Sequence, residues 1–234
     1  MCGAAAAAAL PHGGYRIRIA AGEADLSATL ALRAQVFRTG PGGMATDREP
    51  FDAVARHLLV EDVARGALVG SFRYFVLTGP GMLRQAYSAR FYDLAPLRDW
   101  AFPLVEISRL CLAPGAGADL FRLMLGAMTA VADGAAAMSL FGVTTLGPAS
   151  ASGAGGALAV RRGTWPIVGC APTSPPPLLA TYLALGGWVG DRTATDPVLG
   201  TQVLFTALDR GDIPPGRARS LRALAAGLGP LDPS

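Results

Sequence analysis

Within the apolar run from Phe102 to Leu112 stand a carboxylate and a guanidinium, Glu106 and Arg109. Taking an unpaired ion out of water is costly, so charges in a core strand are paired or put to use. Three residues apart, the two side chains point to opposite faces of a regular strand. A β-bulge would bring them to one side, and bulges recur beside active sites. Two chemistries remain open: a structural ion pair at a strand end, or a catalytic carboxylate with a substrate-holding arginine. Arg73 interrupts the apolar strand Val69–Val76 in the same way. Arg33 and Phe37, four apart, share one face of a helical segment, where the arginine either snorkels to solvent or joins a site. Asp47, Arg48, Glu49 and Asp52 crowd a polar loop. Glu49 and Asp52 can cap, pair with Arg48, or hold a substrate amine. Two strand arginines and two loop carboxylates form a constellation stronger than any one member.

Downstream of Leu112 the chain reads Pro114–Ala118, with Gly115 and Gly117, and then Asp119, a candidate N-cap. A strand running into a glycine loop and a helix offers free backbone N–H groups to a phosphate. An ordinary turn is the competing reading.

The elements that must hold these residues follow from periodicity. Tyr15–Ala20 alternates apolar and basic residues as a half-buried strand does. Ala24–Arg38 reads as an amphipathic helix halted by Gly40–Gly43. His57–Asp62 and Leu68–Val76 form two strands about a turn at Val63–Ala67. Tyr87–Leu97 mixes loop and short helix. The Glu106 strand precedes a helix from Asp119 to about Ala132, then a strand at Met138–Val143. Ala149–Gly156 has a linker's composition. A helix at Leu178–Leu185 stops at Gly186 and Gly187, a last strand takes Thr201–Thr206, and Arg217–Leu228 closes the chain as an amphipathic helix. One mixed α/β domain accounts for this order. It divides into a disordered leader (1–14), a core (15–146), a flexible segment (147–177) and a C-terminal extension packing on the same domain (178–234).

Bulk composition narrows the function. The 234 residues suffice for one sizeable core. The net charge of +3 is carried without a single lysine and without a basic block, which argues against a nucleic-acid binder. Three scattered cysteines (Cys2, Cys111, Cys170) and two distant histidines suggest neither a disulfide framework nor a metal site, and fit a reducing cytoplasm. No stretch has the length and apolarity of a membrane span.

The ordered series Tyr15–Ile19, Leu32–Phe37, Phe51–Val60, Val69–Arg73, Tyr87–Leu94, Val105–Cys111 and Leu140–Gly142, resumed at Pro177–Trp188, resembles the ornithine Nα-acyltransferases of ornithine-lipid synthesis. That family is similar to the acyl-homoserine-lactone synthases and has the GNAT fold, a central mixed, twisted β-sheet flanked by helices. The resemblance implies transfer of a 3-hydroxy fatty acyl group from acyl carrier protein, as its phosphopantetheine thioester, to the α-amine of ornithine. The product is a lyso-lipid, and no cofactor stays permanently bound. Glu106 is then the general base, directly or through water, with Arg109 as its catalytic partner. Arg33, Phe37, Asp52 and Arg73 bind the acceptor. Cys111, Gly115, Gly117 and Asp119 line the path of the donor arm, and a strand amide near Arg109–Leu112 stabilises the oxyanion. Where the family continues with a cysteine, serines and a Gly-Thr-Asp-like segment, this chain reads Val143–Pro148 and an Ala/Ser/Gly run. Two other readings stand beside this one: a signal synthase of the acyl-homoserine-lactone type, and a GNAT-like binding module that has lost catalysis. A lyso-lipid product and Arg217, Arg219 and Arg222 on the last helix suggest peripheral contact with a membrane; a solvated helix is the plainer alternative.

Overall fold

The computed structural model describes residues 13–37, 46–148, 160–162, 175–228 and 231. Most of the leader, the helix stop at 40–43, the linker at 149–156, Cys2 and Cys170 lie outside them.

Eight strands form one sheet. In chain order the elements are β1 (Tyr15–Ile19), α1 (Glu23–Phe37), β2 (Arg56–Asp62), β3 (Ala67–Leu77), β4 (Leu104–Leu112), α2 (Ala118–Gly134), β5 (Ser139–Pro148), β6 (Val160–Arg162), α3 (Pro177–Ala184), β7 (Trp188–Asp196), β8 (Thr201–Asp209) and α4 (Pro215–Ala226). The strands lie in the order β1-β2-β3-β4-β5-β8-β7-β6. Every pairing is antiparallel except β4 with β5. A parallel pair needs a crossover, and α2 supplies it.

Apolar patterning explains the layers. Leu120, Leu123, Met124, Ala127, Met128 and Val131 recur at helical spacing on α2 and pack with Leu58, Phe72, Val105 and Ile107 in one core. α4 lies so close over α2 that a Cβ on Gly126 would sit 2.8 Å from that of Leu224. On the other face, short 3-10 turns at Pro80–Gln85, Tyr87–Arg90 and Ala95–Asp99 bury Leu83, Tyr87 and Leu97 against Leu104, Phe141 and Phe205.

Several boundaries differ from the sequence reading. Gly117, not Asp119, caps α2; Asp119 lies in its first turn. β5 runs on to Pro148, past the expected end of the core at 146. The residues expected to form an extension supply β7 and β8, and β8 pairs with β5 in the middle of the sheet. β7 escaped notice because Asp191, Arg192 and two threonines replace the usual apolar alternation.

The decisive feature is where the parallel pair stops. β4 and β5 pair only over Leu104–Ile107 and Ser139–Gly142. Beyond that point the strands separate, and the β5-facing backbone groups of residues 108–112 have no strand partner among the described residues.

Candidate active site

β4 carries a bulge. Between the pairs Arg73–Ser108 and Ser71–Cys111, β3 advances two residues while β4 advances three. Arg109 takes a positive φ of 51° within it. The extra residue shifts the alternation, so Val105, Ile107, Leu110 and Leu112 all contact the core beneath α2. Glu106, Ser108 and Arg109 are thereby left on the opposite side, a consequence of one inserted residue in a pattern of period two.

Glu106 and Arg109 thus share a face, yet they are not partners. Glu106 is fully buried and faces the turn at Tyr87–Arg90. It accepts hydrogen bonds from the Tyr87 N–H, the Ser88 N–H and the Ser88 hydroxyl, each at 2.6 Å. Burial pushes its carboxyl above the ordinary range, against the opposing pull of these donors and of the Arg73 charge.

Arg109 belongs instead to an arginine–carboxylate cluster built from α1, the loop before β2, β3, β4 and the end of β7. Arg33 donates through Nε and Nη2 to Asp47 Oδ2 (2.9 and 2.7 Å) and through Nη1 to Asp52 Oδ1 (2.6 Å). Arg73 donates to the same Asp52 oxygen at 2.8 Å and to Ser108 Oγ at 2.8 Å. Arg109 Nε donates to Asp47 Oδ2 at 3.0 Å. All three guanidinium groups approach Glu49 Oε1, at 2.9 Å from Arg109, 3.0 Å from Arg73 and 3.5 Å from Arg33. Arg90 binds the other Glu49 oxygen from the rim, at 2.6 Å. Burial alone would raise the Asp52 carboxyl, but the hydrogen bond and charge of Arg33, aided by Arg73, hold it below the usual carboxylate range. Burial draws the Arg73 guanidinium down; it stays charged, as arginine does in proteins.

The separation of β4 from β5 opens a cavity of about 360 Å3. Phe37, Ser108, Arg109, Cys111, Phe121 and Thr144 are among the side chains lining it, and Tyr87, Tyr182 and Asp196 complete the wall where polar groups enter. The Tyr87 ring lies 4.6 Å from the Arg73 guanidinium carbon and 5.2 Å from that of Arg109, while its hydroxyl donates to Asp196 Oδ2 at 3.2 Å. Phe37 stands 5.6 Å from the Arg109 guanidinium carbon. Asp196 is itself held in an Asx turn, accepting from the Val198 and Leu199 N–H groups.

The structure therefore places Phe37, Arg109 and Cys111 in the wall of one cavity, while Arg33, Asp52 and Arg73 lie behind it in the buried cluster that holds Arg109 and do not line it. The Cys111 thiol is buried, which pushes its pKa up to about 12 and leaves it un-ionised. Gly115, Gly117 and Asp119 stand beyond the end of β4, outside the lining, with Gly115 in a turn at φ 80°. Glu106 lies outside the lining as well. Sequence reasoning gave no role to Asp47 and passed over Asp196. The charge density of residues 47–52 is a signal for the first; nothing local reveals the second, whose partner Arg109 lies far away in sequence. Among the described residues, no acids, histidines and cysteines are grouped to hold a metal ion.

A sheet with one parallel pair that splays over a cavity, buttressed by a strand bulge, defines the GNAT fold. Residues 32–119 match the acetyltransferase (GNAT) domain family. No curated protein sequence matches the chain. Among solved structures, FeeM, an N-acyl amino acid synthase from uncultured soil microbes, aligns at TM-score 0.58 and 14% identity over 89% of this chain and 99% of its own. BjaI, a CoA-dependent acyl-homoserine lactone synthase with bound MTA, aligns at 0.53 and 17% over 94% and 92%. TofI in an apo form aligns at 0.51 and 18% over 89% and 99%. At these identities the likeness is one of fold.

Proposed function

We propose that this protein is an N-acyltransferase that moves a fatty acyl group from a thioester to the α-amine of an amino acid. The observation that carries the reading is the open, largely apolar cavity between β4 and β5, with charged groups at one side only. A cavity of that size falls in the range of ligand sites. A module that had lost catalysis by closing its donor site would have filled the gap between the strands.

In this reading the acyl chain lies along the apolar wall, and the thioester oxygen faces the unpaired backbone N–H groups after the β4 bulge. The amine nitrogen attacks the carbonyl carbon, the C–N bond forms, the C–S bond breaks and a thiol leaves. The acceptor's ammonium must first lose its proton, so one proton is released per amide made. Asp196 is the carboxylate that touches the cavity, and it holds the ammonium and accepts that proton. The base role expected of Glu106 would require its carboxylate to leave Tyr87 and Ser88; as placed, it fixes the turn that carries Tyr87 to the cavity wall.

Charge points to the acceptor. Three buried arginines (Arg33, Arg73, Arg109) meet four carboxylates (Asp47, Glu49, Asp52, Asp196), with Arg90 at the rim. The cluster is balanced in charge, and in this reading Asp196 faces the acceptor's α-ammonium and Arg109 its carboxylate, with ornithine the amino acid that the sequence resemblance supports. The likeness in fold to an N-acyl amino acid synthase supports the same reaction type. The proposed donor is acyl carrier protein bearing a 3-hydroxyacyl chain, and the product a lyso-ornithine lipid. No helix among the described residues is long and apolar enough to cross a membrane. Arg217, Arg219 and Arg222 are exposed on α4, and we assign them to contact with an anionic lipid surface.

The test is thiol release from 3-hydroxyacyl carrier protein, with ornithine, lysine and glycine supplied separately and with no amine as the control. Ornithine should support release above the control. Equal rates with and without every amine would remove the transfer reading.

A further inference from the structure

The transfer cavity has a neighbour. A second space of about 300 Å3 lies between α2, the β5–β8 pair and α4, lined by Leu125, Met128, Leu140, Leu185, Ile213 and Leu221, with polar groups at its margin. Tyr182 of α3 is the residue common to both linings. It is the residue at which the two spaces meet.

Tyr182 is held unevenly. The Tyr182 backbone is pinned: its carbonyl accepts from the Gly187 N–H at 2.9 Å, and a Cβ on Gly187 would lie 2.7 Å from the same oxygen. The side chain is not held so firmly. Its hydroxyl donates to the Met128 thioether at 3.9 Å, and sulfur is a weak acceptor. Burial raises that hydroxyl to about 12, so it stays neutral and can donate only this one proton. A ring on a fixed backbone with a weak tether can turn by a rotamer change without moving α3. Met128, the partner, belongs to the side-chain type that adapts most readily to a new neighbour.

We propose that Tyr182 is the gate between the transfer cleft and a second chamber that takes the distal part of a long acyl chain, and that it thereby sets the chain length accepted. This rests on the acyl-transfer reading of the cleft. A chain whose thioester lies beside Arg109–Leu112 runs along the apolar wall towards α3 and meets the ring. Short chains end there; longer ones displace it and enter the space under α4. Each methylene moved from water into that lining strengthens binding roughly fourfold, whereas a chain stopped at the ring leaves its excess in water.

The experiment has two arms. Binding of free octanoate and palmitate is measured by calorimetry, and thiol release is followed with octanoyl and palmitoyl carrier protein. Tyr182→Ala should raise the palmitate-to-octanoate ratio at least about tenfold in both arms. Tyr182→Leu serves the same purpose should the alanine variant fail to fold, and Tyr182→Phe should keep the wild-type ratio. Leu221→Trp, which fills the second chamber from α4, should lower the ratio by a similar factor. Wild-type ratios in both the Tyr182→Ala (or Tyr182→Leu) and Leu221→Trp proteins would overturn the gate. Absence of thiol release from any donor, with the binding ratios shifted as stated, would remove the transfer reading and leave the gate standing as part of a lipid site.

Discussion

Glu106 shows how far a residue's type can be read and where its role must be taken from its neighbours. A carboxylate in an apolar strand announces that something satisfies it; the two backbone N–H groups and the hydroxyl of Tyr87 and Ser88 do so here. Glu106→Gln should therefore act first on stability. The amide keeps one acceptor oxygen, but its NH2 group must confront a buried N–H donor, at a cost of about 1–3 kcal/mol. For a chain of this size that lowers the melting temperature by about 2–12 °C. A group that served only as base would behave otherwise, losing about 10²-fold or more in turnover with the melting temperature unchanged. That second pattern, measured by calorimetry alongside thiol release, would return Glu106 to the chemistry. The carboxylate was legible as special from its apolar surroundings. Its partners were not, because Tyr87 and Ser88 reach it through tertiary packing that leaves no mark at positions 86–90. Arg73 was legible because a charge in an apolar strand has few bland explanations, whereas Arg33 on a helix and Asp52 in a polar loop carried ordinary readings beside the functional one.

At the scale of elements, the bulge and the splay are two halves of one device. The bulge turns Arg109 towards the charged cluster, while the loss of pairing after Ile107 and Gly142 opens the space it faces. Gly142 marks the last paired position: a Cβ there would stand 2.2 Å from the Ile107 carbonyl oxygen, a backbone atom that cannot step aside. Gly142→Ala must push β4 and β5 apart at the apex of the cleft. Overpacking of this kind costs about 1–3 kcal/mol, and more where backbone opposes backbone. Urea denaturation should show that loss. An unchanged free energy of unfolding would mean that the strands already have slack at this point. The three-residue spacing of Glu106 and Arg109 left two arrangements open, opposite faces of a regular strand or one face across a bulge, and the structure has the bulge. β2, β3 and β4 were legible from their apolar runs, and α2 from its periodicity. β7 was not, because Asp191, Arg192, the buried Thr193 and Asp196 are residue types that local patterning counts as loop.

At the scale of the whole molecule, the sheet is two four-stranded halves joined by a short seam. β1–β4 rest on the core beneath α2, and β5 is joined to the antiparallel β8, β7 and β6 on the far side. Between the halves, the parallel pairing covers Leu104–Ile107 and Ser139–Gly142. A ligand lying in the cleft touches Ser108–Leu112 on one wall and Val143–Thr145 on the other, and so bridges strands that do not bridge each other. Binding to the folded state alone stabilises it by about 2.7 kcal/mol at a hundred times the dissociation constant. For a chain of this length that corresponds to a rise in melting temperature of about 5–11 °C. A palmitoyl-pantetheine analogue with an amide in place of the thioester cannot transfer its acyl group and should produce that rise by differential scanning fluorimetry. Ornithine alone contacts the charged side of the cavity and not both strands, so it should bind more weakly and its shift should be the smaller at equal concentration. A larger shift with ornithine, or none with the analogue at saturating concentration, would mean that the cleft between β4 and β5 is not where the acyl donor lies.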